Sequence, residues 1–493
     1  MHTLNNTKNI TEYLVGVDSQ YHDKILYHWE EKTLTFGQAK SLVYQLAGYI
    51  SSTDLKPRDY VLVVLDDCPE LALYFLALVL LGQIPVLVNT RLAKDEIQNI
   101  ASSHNCKGIV ATDDILSYIN APVKFTKEQL WSAPADLPYT AYQYQPTDDV
   151  VHFMTSGTSL SYKTVVYDHS NIANLDRNEK GIWTECTDAS VVYCPAKMTT
   201  AIGFYSNIYL PWMVKSTHVI NGKVFDLRNM MDIVNRYQVD YVFTLPFILN
   251  LMLKRPGIKF DPCLKHIIAA GEPLPPNVAT EFLNRFGIRI QNLFGLTEGF
   301  AIFTNLDPTS DISAPGTPVD GVEVRIVRED GTDCEPNEAG RMIFKSANMA
   351  NRYYNDINAT NECFKDGWYW TNDLFVRDNC GTYKFIDRIN QCVKIRGVWT
   401  SSTDIENVVS SMPGVVECTA TFEKNTKGFS EPVVFVVRDT NSVDAVAIKS
   451  FVGNTTTQST LIPKQVYFVD NLPKTLNNKK IKIIDKLLEF QNS

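Results

Sequence analysis

Apolar and polar positions along this chain fall into two rhythms. The short apolar runs Tyr60-Val-Leu-Val-Val-Leu65, Ile84-Pro-Val-Leu-Val88 and Gly108-Ile-Val-Ala111 have the length and composition of buried strands. Between them, Pro69 to Leu81 and Leu92 to Ser103 are long enough for helices. Pro69 sits near a first turn, where a missing N–H costs nothing. This βαβαβ order predicts a parallel sheet with helices on its faces. The pattern resumes with a strand at Tyr241–Thr244 before a helix from Pro246, and a strand at Ile267–Ala270 before a helix from Pro275. From about Val322 the strands shorten, and Gly321, Gly331, Gly340 and Gly381 mark turns. The tail differs again. A helix from Thr403, strands near Val415–Phe422 and Val433–Val437, a helix near Val443–Phe451 and a strand at Val466–Phe468 predict a compact α+β module.

With 493 residues the chain is too long for one core, so at least two domains are expected. The apolar content of 45% and charged content of 20% are those of a globular protein. A formal net charge of −9 argues against a nucleic-acid partner, because such binding draws on phosphate neutralisation. The longest apolar run, Leu71 to Leu81, is too short to span a bilayer and contains Tyr74, so it predicts a buried helix. The ten cysteines show no CxxC pair or zinc-like spacing. The polar, Asn-rich start is unlike a secretory signal, so reduced thiols and a cytoplasmic location are expected.

Four segments carry candidate chemistry. Thr155-Ser-Gly-Thr-Ser-Leu-Ser-Tyr-Lys163 follows the apolar run Val150–Met154. Its hydroxyls and backbone N–H groups suit an anion, with a lysine to add positive charge; a polar surface hairpin is the alternative. Against a GxxxxGK(S/T) phosphate loop, the second glycine is Tyr162, and the strand-like Val165-Val-Tyr167 follows in place of a helix. Phe294-Gly-Leu-Thr-Glu298 offers a ring for adenine, a glycine for close approach, a hydroxyl and a carboxylate for magnesium, or else a simple turn. In Gly367-Trp-Tyr-Trp-Thr-Asn-Asp373, Asp373 can accept hydrogen bonds from vicinal ribose hydroxyls; Asp387, Arg388, Lys394, Gly397 and Glu406 follow. The tail Leu472-Pro-Lys-Thr-Leu-Asn-Asn-Lys-Lys480 taken alone reads as a solvated basic face.

In order and spacing these segments resemble the acyl-adenylate-forming superfamily of acyl- and aryl-CoA ligases, carrier-protein adenylation domains and luciferases. Thr155 to Thr164 resembles its TSGTTGxPKG loop, Phe294–Glu298 its YGxTE, and Trp370–Asp373 its YxTGD. Asp387–Gly397 is similar to GRxDxxxKxxG, and Pro473–Lys479 to PKTxxGK. Ala269-Ala-Gly-Glu-Pro-Leu274, Gly316-Thr-Pro318 and Ile405-Glu406 add softer matches. The likeness runs from Leu34-Thr-Phe36 to the C-terminus. It is nearest to aryl-CoA ligases of the benzoate and anthranilate type through Ala196–Gly203, Leu210-Pro-Trp212, Asp67–Glu70 and Leu81–Pro85.

The resemblance implies an α/β fold. A large N-terminal domain, residues 1–389, would hold parallel α/β subdomains and a small β-subdomain, and a small mobile α+β lid would occupy 390–493. It implies ATP, Mg²⁺ and coenzyme A, or a phosphopantetheine carrier protein as partner chain, with a small carboxylic acid as substrate. Thr155, Ser156, Gly157, Thr158, Ser159 and Lys163 would hold the ATP phosphates. Thr297 and Glu298 would bind phosphate and Mg²⁺, with Glu298 as the metal ligand. Gly271, Glu272 and Pro273 would border the adenine, on which Phe294 stacks beside Gly295. Asp373 would hold the ribose with Arg388 nearby. Lys479, or its neighbour Lys480, would bridge the acid carboxylate and the α-phosphate. The small domain would then turn near Asn390, in the hinge segment that carries Lys394, and open a thiol channel by Gly397.

The chain departs from the pattern at Leu160, Tyr162 and Thr164, where the family has glycine, proline and glycine. Asn372 and Asn478 replace glycines, and asparagine is the residue next most tolerant of left-handed backbone. In the expected acyl pocket, lined by Thr199, Thr200, Ala201, Ile202, Ala301 and Ile302, an aromatic pair is replaced by Thr199-Thr200 and a histidine by Ala301. This predicts a roomier, more polar site whose threonines could hydrogen-bond a hydroxylated acid. Three activities fit: a CoA ligase, an enzyme loading a separate carrier, and a nucleotide binder without catalysis.

Overall fold

The computed structural model describes residues 9–156, 162–175, 182, 185–223, 225–255, 257–260, 262–306, 311–396, 398–439, 443–473, 482, 484 and 487–488. They divide into two compact units, one of residues 1–324 and 344–369, the other of 325–343 and 370–493.

The first unit is built on two large sheets. One runs, edge to edge, Arg352–Tyr353, Tyr162–Asp168, Asp149–Ser156, Ile84–Leu87, Tyr60–Val64, Gly108–Ala111 and Val123–Thr126. Its centre is parallel, as the βαβαβ order predicts, with Leu62 opposite both Val86 and Ile109. These strands are buried on both faces, which is why they read as unbroken apolar runs. The helix Pro69–Leu80 is buried along its whole length, as its composition predicts. The other sheet runs Thr317–Pro318, Phe300–Thr304, Ile290–Leu296, His266–Ala270, Tyr241–Thr244, Val191–Tyr193, Thr217–Val219, Ile25–Trp29 and Lys32–Thr35. It is parallel from Ile290–Leu296 to Ile25–Trp29, with antiparallel strands at its edges.

In the second unit, Asp373–Arg377 pairs antiparallel with Tyr383–Arg388. The hairpin Cys392–Ile395/Val398–Ser401 follows, then the helix Ser402–Ser410, N-capped by the Ser401 hydroxyl. A sheet of Val415–Lys424, Ser430–Arg438 and Gln465–Phe468 packs Val434 and Val436 with Ile405, Val409 and Ile448 in one core. The predicted α+β tail is there, each element within a few residues of its expected place. Lys482 ties the tail to this core. Its ammonium lies 3.1 Å from Glu406 Oε1 and donates to the Ser402 and Thr403 hydroxyls, and the Thr421 hydroxyl donates to its carbonyl. Glu406 Oε1 also accepts from the Thr419 hydroxyl and the Ala420 N–H. All ten cysteines are free thiols, and among the described residues no helix is long and apolar enough to cross a membrane.

Burial lowers the pKa of His104 to about 4 and that of His218 to about 3. The unfolded chain then binds more protons than the folded one below the ordinary histidine pKa of about 6.5. Stability contributed by the neutral imidazoles should fall as pH drops through 6.5 towards 4, by roughly 1 kcal/mol per pH unit per histidine. Urea midpoints measured between pH 7 and 4.5 should show this slope, and His218→Leu should flatten it. A slope unchanged by that substitution would assign the acid sensitivity to other groups. Lys482→Met leaves Glu406 buried without its cation and should cost about 3–5 kcal/mol in urea denaturation of the second unit, most of it restored by Lys482→Arg.

Candidate active site

The loop Thr297–Gly299 turns the strand Ile290–Leu296 back into Phe300–Thr304. Gly295 is required there, because a Cβ would lie 2.2 Å from the Phe300 carbonyl oxygen. Phe300 closes the turn in the left-handed region at φ +53°, held by its ring, which packs 5.1 Å from Tyr167 and 6.1 Å from Phe153. Two backbone groups at the tip are pinned. The Tyr167 hydroxyl donates to the Thr297 carbonyl at 2.7 Å, and the Ala350 N–H donates to the Glu298 carbonyl at 2.9 Å. The Glu298 side chain is therefore fixed at its root, and it is only 7% exposed.

Its carboxylate is oriented by residues to which the sequence assigned no role. The Tyr353 hydroxyl donates to Glu298 Oε1 at 2.7 Å and meets the Tyr369 hydroxyl at 2.8 Å. Burial, and then the negative charge of Glu298, push both phenols well above the ordinary tyrosine range, so they stay protonated donors. Tyr353 reaches this place because Arg352–Tyr353 pairs with the strand Tyr162–Asp168, Tyr353 opposite Val165. That strand also carries Lys163, whose Nζ lies 4.9 Å from the centre of the Tyr353 ring. Lys163 and Glu298 thus meet at one tyrosine. Tyr369 lies inside the segment Gly367–Asp373 quoted above, but nothing in the sequence marks Tyr353.

Thr155 pairs with Lys163, and the backbone of Ser156 with Tyr162, so the expected phosphate loop is carried on an antiparallel hairpin. Gly157, Thr158, Ser159 and Leu160 lie outside the described residues, as do Gly397, Asn478, Lys479 and Lys480. Gly271, Glu272 and Pro273 follow the strand His266–Ala270, Gly271 with φ +87°. Ala270 pairs with Leu293 on the neighbouring parallel strand, so these residues and Phe294–Gly295, still within that strand, lie towards the same carboxyl edge. That edge is where open α/β sheets bind ligands. The Phe294 ring lies 6.0 Å from Phe303.

On the acyl side, Thr199 is buried and Thr200 caps the helix Ala201–Phe204. The Thr200 hydroxyl donates to the Lys197 carbonyl at 2.7 Å and accepts the Gly203 N–H at 3.3 Å. The Thr200 hydroxyl is thus engaged in the cap, and an acid bound there would have to compete for it. Lys197 pairs with Asp67 at 3.1 Å and Asp66 at 3.4 Å. Ala201, Ala301 and Ile302 are buried and Ile202 half-buried, and Ala301 stands opposite Gly295. The Phe204 ring approaches Phe300 at 6.4 Å, which brings the two expected pocket segments together.

In the second unit, Asp373 is opposite Arg388, with Arg388 Nε 3.3 Å from Asp373 Oδ1. Asn372 lies in regular extended strand and is not among the residues of positive φ, so left-handed tolerance plays no part there. The Lys394 ammonium sits 4.8 Å over the Trp399 ring. Asn390 falls in a short 3-10 turn between strands.

Glu298 offers a single carboxylate, and no group of three or more His, Cys, Asp or Glu side chains is placed to hold a metal among the described residues. Such a site fits Mg²⁺, which takes one or two carboxylates and completes its shell with phosphate oxygens and water.

The family model described as AMP-binding enzyme matches residues 17–354, and the AMP-binding enzyme C-terminal domain matches residues 404–479. The chain is 25% identical over 486 residues to the 4-hydroxybenzoate–CoA/benzoate–CoA ligase of Rhodopseudomonas palustris, covering 92% of this chain and 89% of that one. It is 25% identical to the anthranilate–CoA ligase of Pseudomonas aeruginosa, covering 96% and 94%. In fold it is similar to the anthranilate CoA ligase AuaEII solved in complex with anthranoyl-AMP, with a TM-score of 0.90 at 20% identity over 100% of this chain and 99% of that chain. A benzoate CoA ligase from Burkholderia xenovorans LB400 gives 0.87 at 21% identity over 96% and 98%. With matching models over both its long N-terminal part and its tail, the chain belongs to the AMP-binding enzyme family.

Proposed function

We propose that this chain is an aryl acid–CoA ligase that works through an acyl-AMP. The observation that carries the reading is the meeting of Lys163 and Glu298 at Tyr353, a cation and a carboxylate brought together as a magnesium–polyphosphate site requires. The whole-length likeness to benzoate and anthranilate CoA ligases supports the choice of acid and thiol.

A free carboxylate resists attack because its charge repels nucleophiles. In the first half-reaction an acid oxygen bonds to the α-phosphorus of ATP, and the bond from that phosphorus to pyrophosphate breaks. In the second, the thiolate of CoA bonds to the acyl carbon, and the bond to AMP breaks. Lys163, Thr155 and the hydroxyls of Ser156, Thr158 and Ser159 would hold the phosphates, and Glu298 would hold Mg²⁺, whose charge offsets that of the polyphosphate. Asp373, with Arg388 beside it, would hold the ribose, and Phe294 with Gly271–Pro273 the adenine. Lys479 would neutralise charge growing between acid and α-phosphate, a contribution made in the transition state. We place the acyl pocket at Thr199–Ile202 with Ala301 and Ile302, and the pivot of a lid formed by residues 390–493 at Asn390.

Pyrophosphate release should be measured over benzoate, hydroxybenzoates, anthranilate and aliphatic acids, with and without CoA. Aryl-acid-dependent release, with turnover and thioester formation requiring free CoA, is the expected outcome. Thioester formed only on an added phosphopantetheine carrier would overturn the choice of acceptor, and ATP binding with no acid-dependent release would overturn the enzyme. Lys479→Ala should lower adenylate formation at least 100-fold while largely sparing thiol transfer from a supplied acyl-AMP. That phenotype in Lys480→Ala but not Lys479→Ala would move the role by one residue, and its absence from both would return the segment to a solvated basic turn.

A further inference from the structure

Tyr353 is 4% exposed, yet its two functional parts face two charges. A carboxylate can only accept, so the hydrogen of Tyr353 goes to Glu298, and the Tyr369 hydroxyl must be the donor in the contact between the phenols. The result is a directed chain from Tyr369 to Tyr353 to Glu298. Each hydrogen bond polarises the next in a site shielded from water. Among the described residues, Glu298 Oε2 has no hydrogen-bond partner, so the chain fixes the carboxylate by one oxygen and leaves the other available. On the other side of the same residue, the ring face holds the Lys163 ammonium at 4.9 Å. Removing the hydroxyl separates these functions, because phenylalanine keeps the ring.

We propose that Tyr353, backed by Tyr369, is a positioning residue that sets the Mg²⁺ affinity of Glu298 through its hydroxyl and the placement of Lys163 through its ring. The proposal rests on the assignment of Glu298 and Lys163 to Mg·ATP above. It does not rest on the identity of the acid or the acceptor. Groups that orient a metal-binding carboxylate typically change metal affinity by roughly 10- to 100-fold when removed.

The test is calorimetric titration of the full chain with ATP in the absence of acid, repeated over a series of MgCl₂ concentrations, so that no turnover is needed. Tyr353→Phe should raise the Mg²⁺ concentration for half-maximal ATP binding by roughly tenfold, with little change in the affinity reached at saturating Mg²⁺. Tyr369→Phe should shift it in the same direction by less. Tyr353→Leu, which also loses the ring, should weaken ATP binding even at saturating Mg²⁺. An unmoved Mg²⁺ midpoint in Tyr353→Phe and Tyr369→Phe, both retaining the wild-type melting temperature, would overturn the proposal. Should Tyr353→Phe fail to fold, Tyr369→Phe alone decides. Glu298→Gln in the same titration separates the levels: if it leaves the midpoint unmoved, the metal assignment falls and the proposal with it. If the wild type binds Mg·ATP but activates no acid, the ligase reading fails and the tyrosine test stands.

Discussion

A knot of four rings fixes the geometry on which the site depends. Phe153, Tyr167, Phe204 and Phe300 are all at most 5% exposed and pack edge-on or tilted at 5.1–6.4 Å. Between them they flank three of the candidate segments, two of the rings standing on either side of Thr155–Lys163. Phe153 precedes Thr155, Tyr167 follows Lys163, Phe204 ends the helix capped by Thr200, and Phe300 follows Glu298. Aromatic pairs of this kind add roughly 0.5–1.5 kcal/mol each beyond the area they bury. The larger consequence is positional. Three segments far apart in sequence cannot shift independently while their rings share one packed volume, because interiors at crystal-like density leave no room for it. The left-handed backbone of Phe300 shows the cost: a conformation unfavourable for a bulky residue persists because the ring has only this place to go.

Above that knot the polar groups are arranged by the same logic. Tyr167 uses its ring for packing and its hydroxyl for the Thr297 carbonyl, and Tyr353 uses its ring for Lys163 and its hydroxyl for Glu298. A buried carboxylate without a donor would be expensive, and a salt bridge to Lys163 would tie up both charges. Neutral phenols satisfy the carboxylate without cancelling it. Both charges stay available to a ligand while the buried carboxylate keeps a hydrogen-bond donor.

Much of the scaffold was legible because burial leaves a periodic mark. The doubly buried strands at Tyr60, Ile84 and Gly108, the apolar helix from Pro69 and the α+β tail all follow from run length and punctuation. Motif spacing located the Glu298 hairpin and the Asp373 strand. What escaped was whatever depends on pairing across the chain. Tyr353 lies 55 residues from Glu298 and 16 from Tyr369, in a stretch with no periodic signal. Lys482 reads as one more basic residue of the tail until Glu406 is seen to face it. Thr200 could be read from sequence as a pocket hydroxyl, because Ser and Thr serve as caps and as ligands alike and only the neighbouring backbone decides between them.

The dipeptide Asp387-Arg388 shows how far local geometry alone can divide labour. Successive side chains of a strand point to opposite faces. Arg388 accordingly turns to Asp373, while Asp387 turns to the start of the helix Ser402–Ser410. There Asp387 Oδ2 accepts from the Ser401 and Ser402 hydroxyls and the Thr403 N–H, and Oδ1 accepts the Arg388 N–H. A carboxylate with that many donors at a helix N-terminus is a structural clamp, stabilised by unpaired N–H groups and the helix dipole. Asp373, on the adjacent strand and similar in burial, instead shares its face with a guanidinium. Two buried aspartates on adjacent strands therefore take different roles, one set by the helix in front of it and the other by the arginine opposite, and side-chain alternation along a strand keeps the two apart.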